Sequence, residues 1–196
     1  GVETSGKSTN LKKAIKFLKK KKIKYITFRE PGGTKFSEKL RSLMLNKKSK
    51  LNIKTDLFVL MASRSENIDK ILKKNFKNKV VLIDRFIDST LAYQHYGMGL
   101  DKYLIIKMNN FILGNLKPNF TFLSVVNKKN MLKRLKSRKN NNKYDKFKYN
   151  FYNKVQKGFL KIANKNKSKY LILDSNKDNL KIIENKLIDK IKKILK

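Results

Sequence analysis

The sequence predicts a single α/β domain in which a parallel sheet is covered by helices on both faces. Three observations carry this. Short apolar, β-branched segments alternate with amphipathic helical ones, the chain of 196 residues suits one domain, and a glycine-rich turn runs straight into the first helix.

The strand-like segments are Lys24–Phe28, Val80–Asp84, Phe120–Val126 and Tyr170–Asp174. Helical spacing covers Leu11–Leu18, where Leu11, Ala14, Ile15 and Leu18 share a face. Similar patterns run over Phe36–Leu45, Thr55–Phe76, Asp101–Leu116, Asn130–Arg138, Phe147–Asn164 and Leu180–Leu195. Ligands of such sheets sit at the carboxyl ends of the strands. One stretch, Lys136–Lys143, has no apolar residue and reads as a loop, either a basic lid or a disordered segment.

Composition excludes several function classes. Cysteine is absent, so disulfides, zinc–thiolate sites and thiol catalysis are ruled out. No segment approaches the roughly 20 apolar residues of a membrane helix. Nothing at the start has the form of an export leader, and a cytoplasmic location is expected. Fifty Lys and Arg against 14 Asp and Glu give a net charge of +36, which attracts any polyanion. The lysines are spread from Lys12 to Lys196 and form no single basic arm. A compositional drift explains them better than a dedicated polynucleotide site, and no specific nucleic-acid partner is expected.

Gly1-Val2-Glu3-Thr4-Ser5-Gly6-Lys7-Ser8-Thr9 fits G-x-x-x-x-G-K-[ST]. The glycines let successive N–H groups turn toward a β-phosphate, and the helix starting near Lys7 adds its positive end. Lys7 then reaches the β- and γ-phosphates of ATP, and the Ser8 hydroxyl is a ligand for Mg²⁺. These features imply a P-loop NTPase fold with about five strands when complete. That fold expects a strand before Gly1, so the chain as it stands is expected to lack its first strand.

Arg29-Glu30-Pro31-Gly32-Gly33-Thr34 follows the strand ending at Phe28. The Pro-Gly-Gly turn presents Arg29 and Glu30 at the strand's carboxyl end, although an ordinary solvated turn would look the same. Asp84-Arg85 closes the next strand. Asp84 is placed either to join the Mg²⁺ shell or to cap a turn, and Arg85 can grip a phosphate with two parallel hydrogen bonds. Asp88-Ser-Thr-Leu-Ala-Tyr-Gln94 comes next, followed by the single histidine, His95, which reads as a loop residue without a role.

In this order and at these intervals, the three motifs resemble the thymidylate kinases, over nearly the whole chain. The resemblance implies transfer of the γ-phosphate of Mg·ATP to dTMP, with residues 1–9 holding ATP, in a single domain with a lid at residues 136–148. It implies that Glu3 reaches the deoxyribose and that Arg85, with Arg29 and Arg41, holds the dTMP phosphate beside Glu30. Arg64, Thr90 and Gln94 would read the thymine edge, and Tyr93 would close the sugar pocket. The family usually has a phenylalanine that stacks on thymine where this chain has Leu60, implying weaker dTMP affinity. The phosphate loop has no arginine, so the lid would supply the cation. Arg134 and Arg138 are near, but the lid-arginine position itself carries Lys143, which keeps the charge and loses the fork. A homodimer, packed through helices such as the one containing Phe58, is also implied. Two alternatives stand beside this one: a P-loop kinase for another nucleotide, and a nucleic-acid-binding protein with a vestigial loop.

Overall fold

The computed structural model describes residues 1–137 and 143–195, with the backbone alone at residues 145 and 146. Its strands are β1 (Tyr25–Arg29), β2 (Val80–Asp84), β3 (Thr121–Val125) and β4 (Tyr170–Asp174). The helices are α1 (Lys7–Lys20), α2 (Lys35–Leu45), α3 (Ile53–Asn67), α4 (Lys73–Asn75), α5 (Ile87–Thr90), α6 (Lys102–Leu113), α7 (Lys128–Lys136), α8 (Tyr149–Lys165) and α9 (Leu180–Ile194).

All pairing among the described residues is parallel, as the alternation of strands and helices requires. The sheet, however, is divided. β1 pairs with β2 from Tyr25↔Val80 to Arg29↔Asp84, and β3 pairs with β4 from Thr121↔Tyr170 to Val125↔Asp174. A cleft of about 550 Å³ lies between the halves, lined by β2, by β3 and by Ala14, Leu18, Leu187 and Ile191 from the helices. Every residue of β2 is consequently only half-buried.

Two of the four apolar clusters among the described residues are the largest. On one face Ala14 and Leu18 of α1 pack with Leu173, Ile183, Leu187 and Ile191. On the other, Tyr152, Val155 and Phe159 of α8 meet Tyr93, Leu123, Val125 and Met131. The asparagine-rich composition has a structural use here. Asn52, Asn127 and Asn179 each cap a helix, accepting from the N–H of Thr55, Asn130 and Ile182 at 2.9, 2.8 and 2.9 Å.

Two expectations are corrected. The helix read over Thr55–Phe76 is interrupted by a π-helical turn at Ile68–Leu72. The wider turn keeps both of these residues buried against Leu113. His95 is not in a loop. It belongs to a π-helical segment, Leu91–Gly97, that continues α5, and its Nδ1 lies 2.8 Å from the Leu100 carbonyl.

Candidate active site: a phosphate loop joined to an acceptor pocket

Residues 1–6 wrap the start of α1. A side chain at Gly1 would collide with the Ser124 carbonyl, and Gly6 holds the left-handed φ of 92° at the helix N-cap. No side chain caps α1, so its first N–H groups point into the loop, as an anion needs. The buried Ser5 hydroxyl donates to the Val2 carbonyl at 2.9 Å, and the Lys7 ammonium donates to the same oxygen at 2.6 Å. From α7, Arg134 donates to the Thr4 carbonyl at 3.0 Å, so a cation already stands against the loop. Ser8 and Thr9 are exposed on the first turn of α1.

The turn after β1 is tied to α3. Ser63 accepts from the Gly32 N–H at 3.3 Å, and Asn67 donates to the Gly32 carbonyl at 2.7 Å. Glu30 is thereby drawn inside, where Arg64 meets its Oε2 through Nε at 2.8 Å and Nη2 at 2.7 Å. Both side chains are 1% exposed. Burial raises the Glu30 carboxyl above its ordinary value, and Arg64 works against that rise. Arg64 also bonds Asn109 of α6 and lies 5.4 Å from the centre of the Phe86 ring.

Arg85 directly follows β2 at a left-handed φ of 67°, a strained conformation for a side chain of its size. That geometry turns its guanidinium back onto Glu3, Nη2 to Oε1 at 2.7 Å, and over the Tyr93 ring at 5.0 Å. Burial is the largest single influence on Arg85 and lowers its pKa, but Glu3, Tyr93 and Asp84 together outweigh it and the net shift is upward. Burial likewise raises the Tyr93 hydroxyl, against the opposing effect of Arg85.

One pocket gathers these groups. Glu3, Glu30, Arg41, Leu60, Arg64, Arg85, Thr90, Tyr93 and Gln94 line it. Arg41 donates to the Pro31 carbonyl at 2.7 Å, and burial, with the nearby Arg29 charge, lowers its pKa. Arg29 itself is not among the lining residues. β1 buries Phe28 and turns the next side chain outward, 54% exposed, to pair with Glu38 at 3.5 Å. Asp84 ends β2 in the adjoining cleft with Lys7. Lys143 pairs with Asp56 on α3, and Arg138 lies outside the described residues. Phe86, Ser89 and Tyr144 also line the pocket, and the motifs assigned none of them a role.

A family model described as thymidylate kinase matches residues 1–187. A thymidylate kinase of Wolbachia pipientis wMel is 37% identical over 97% of this chain and 96% of its own length. One from Sulfurihydrogenibium is 36% identical over 93% and 89%. The crystal structure of thymidylate kinase from Ehrlichia chaffeensis superposes with a TM-score of 0.76 at 30% identity, covering 98% of this chain and 95% of that one. With a phosphate loop whose Glu3 also lines the adjoining pocket, and with these matches across its length, the chain belongs to the thymidylate kinase family.

Proposed function

We propose that the protein transfers the γ-phosphoryl group of Mg·ATP to the phosphate of dTMP, yielding dTDP and ADP. The observation supporting this best is the double position of Glu3. It is a residue of the phosphate loop and also a wall of the acceptor pocket, held there by Arg85 at 2.7 Å. Donor and acceptor phosphates bound on its two sides would be neighbours, the geometry that in-line transfer needs.

In this reading the loop N–H groups and Lys7 hold the β- and γ-phosphates, and Arg85 and Arg41 hold the dTMP phosphate. An oxygen of that phosphate attacks the γ-phosphorus as the bond to the β–γ bridging oxygen breaks. The cations around the transferring group stabilise its charge. Arg64, Thr90 and Gln94 read the base, Tyr93 closes on the sugar and Leu60 covers the ring. Thr90 Oγ1 is fully buried without a hydrogen-bond partner among the described residues, as suits an atom kept for a ligand's polar edge. Residues 136–148, of which 138–142 lie outside the described residues, would act as the lid.

Ser8 and Asp84 would hold Mg²⁺. Their hydroxyl and carboxylate oxygens are the hard donors it takes. Among the described residues no group of three or more His, Cys, Asp or Glu forms a metal cage. That donor set fits an ion that keeps waters and shares the nucleotide phosphates. Bound there, it would neutralise charge on those phosphates.

We also propose a cytoplasmic homodimer. α3 and α6 pack together, and between them expose Phe58 (61%), Tyr103 (72%) and Phe111 (91%). An apolar face of this kind suits a second copy.

The test is a coupled assay of ADP release with ATP, Mg²⁺ and each nucleoside monophosphate in turn. Strong preference for dTMP is expected. Preference for another monophosphate overturns the acceptor assignment, and no turnover from folded protein overturns the reaction.

A further inference from the structure

Lys143 stands where a lid cation is expected, yet it is turned toward α3. Its ammonium sits 2.9 and 3.1 Å from the two carboxylate oxygens of Asp56 and 3.4 Å from the Leu51 carbonyl. Asp56 is 1% exposed, in the first turn of the helix that carries Leu60 and Arg64. Drawing Lys143 away would leave that carboxylate buried without its cation, which is strongly unfavourable.

The next residue is Tyr144. It is buried and lines the acceptor pocket, edge-on to Tyr93 with ring centres 6.0 Å apart. Its carbonyl accepts from the Tyr152 hydroxyl at 2.5 Å. Adjacent Cα atoms are about 3.8 Å apart, so an anchor at one residue fixes the backbone of the other. Tyr144 is therefore restrained by the Lys143–Asp56 pair before it, by Tyr152 on its carbonyl and by the Tyr93 and Phe147 rings against its own.

We propose that Lys143 is a positioning residue of the acceptor site. Through Asp56 it seats Tyr144 as the aromatic wall that the lid side contributes to the dTMP pocket. Arg134, which donates to the Thr4 carbonyl, stands on the donor side with Lys7. The inference rests on the pocket being the dTMP site.

The test compares wild type with Lys143→Met, Lys143→Arg and Tyr144→Ala. KM for each substrate, kcat, dTMP affinity by calorimetry without ATP, and thermal melting are measured. Wild-type turnover of dTMP is established first, and its absence overturns the functional reading rather than this one. Given that turnover, Lys143→Met is expected to weaken dTMP about tenfold in both KM and Kd, the usual scale for losing a hydrogen bond to a charged group. KM for ATP and kcat stay within about twofold, because the donor site is untouched. Lys143→Arg, which can keep the pair, retains dTMP affinity. Tyr144→Ala, which keeps the pair and removes the wall, reproduces the loss and guards against a Lys143→Met protein that does not fold. A Lys143→Met enzyme with unchanged dTMP affinity and a collapsed kcat overturns the proposal, since it makes Lys143 a cation on the transferring group. Unchanged dTMP affinity in Tyr144→Ala overturns it equally.

Discussion

Glu3 and Arg85, 82 positions apart, meet at 2.7 Å across the seam between the phosphate loop and the acceptor pocket. Each needs the other. Arg85 is held in a strained left-handed backbone, and its guanidinium is steered by the Glu3 carboxylate and the Tyr93 ring. Glu3 is fixed in turn by the loop that wraps α1. Removing the carboxylate leaves the arginine free to swing toward other acceptors. Glu3→Gln is therefore expected to lower kcat/KM for dTMP by one to two orders of magnitude while leaving ATP affinity nearly unchanged. Steady-state kinetics with each substrate varied in turn checks this, and an equal loss on both substrates would refute the acceptor-side role.

Arg85→Lys isolates geometry from charge. A lysine keeps the cation but cannot hold a phosphate with two parallel bonds, nor lie flat over Tyr93. A loss in kcat/KM of roughly a hundredfold is expected, on the scale seen when one preorganised charge-stabilising group is removed. Near-wild-type kinetics in this variant would show that the fork is not used.

Lys7→Ala removes the ammonium from a loop that otherwise keeps its shape through Gly1, Ser5 and Gly6. Turnover should fall by orders of magnitude, with dTMP binding measured by calorimetry changing little, because the acceptor pocket does not include Lys7. Full activity in this variant would dismiss the phosphate-loop assignment.

Much of this arrangement is legible in the chain itself. Backbone geometry demands particular residues at Gly1 and Gly6, and the carboxyl ends of β1 and β2 must carry whatever the sheet binds. What is not legible depends on long-range contacts. Nothing near Arg64 in sequence announces that Asn109, 45 positions on, will hold its remaining guanidinium nitrogen, Nη1. Asp56 looks like an ordinary acidic residue in a first helical turn until Lys143 arrives from 87 positions away. Arg29 follows the right strand but falls on the outward side of its alternation. The helical segment Ile87–Gly97 escapes detection for another reason. Its π-helical part breaks the 3.6-residue spacing of apolar positions, although Gly97 marks where Phe151 of α8 comes close.

The α3–α6 face offers a test of assembly that leaves the site alone. Phe111 is 91% exposed and Phe58 61%, and neither lines the acceptor pocket. In light scattering the wild type is expected to run as a dimer and a double Phe58→Glu, Phe111→Glu variant as a monomer. Identical masses for the two would remove this face from the interface.

Arg64→Ala should be costly in two separable ways. The first is stability. Glu30 would remain buried with its cation gone, and losing one member of a buried pair costs about 3–5 kcal/mol. The second is a change in pH dependence. Burial raises the Glu30 carboxyl in the folded protein above its unfolded value, with Arg64 restraining the rise. The folded state thus holds this proton more tightly than the unfolded one, and its contribution to stability falls as pH climbs from the ordinary carboxylate range through the raised value. Without Arg64 the folded value rises further, so the window of loss widens on its alkaline side. Melting curves between pH 5 and pH 8 should show Arg64→Ala losing stability with rising pH more steeply than wild type. The same slope in both proteins would mean that Glu30 does not depend on Arg64 for its charge. Arg64→Ala combined with Glu30→Gln should flatten the slope again, since the titrating group is then absent and only the base-reading loss in dTMP affinity remains.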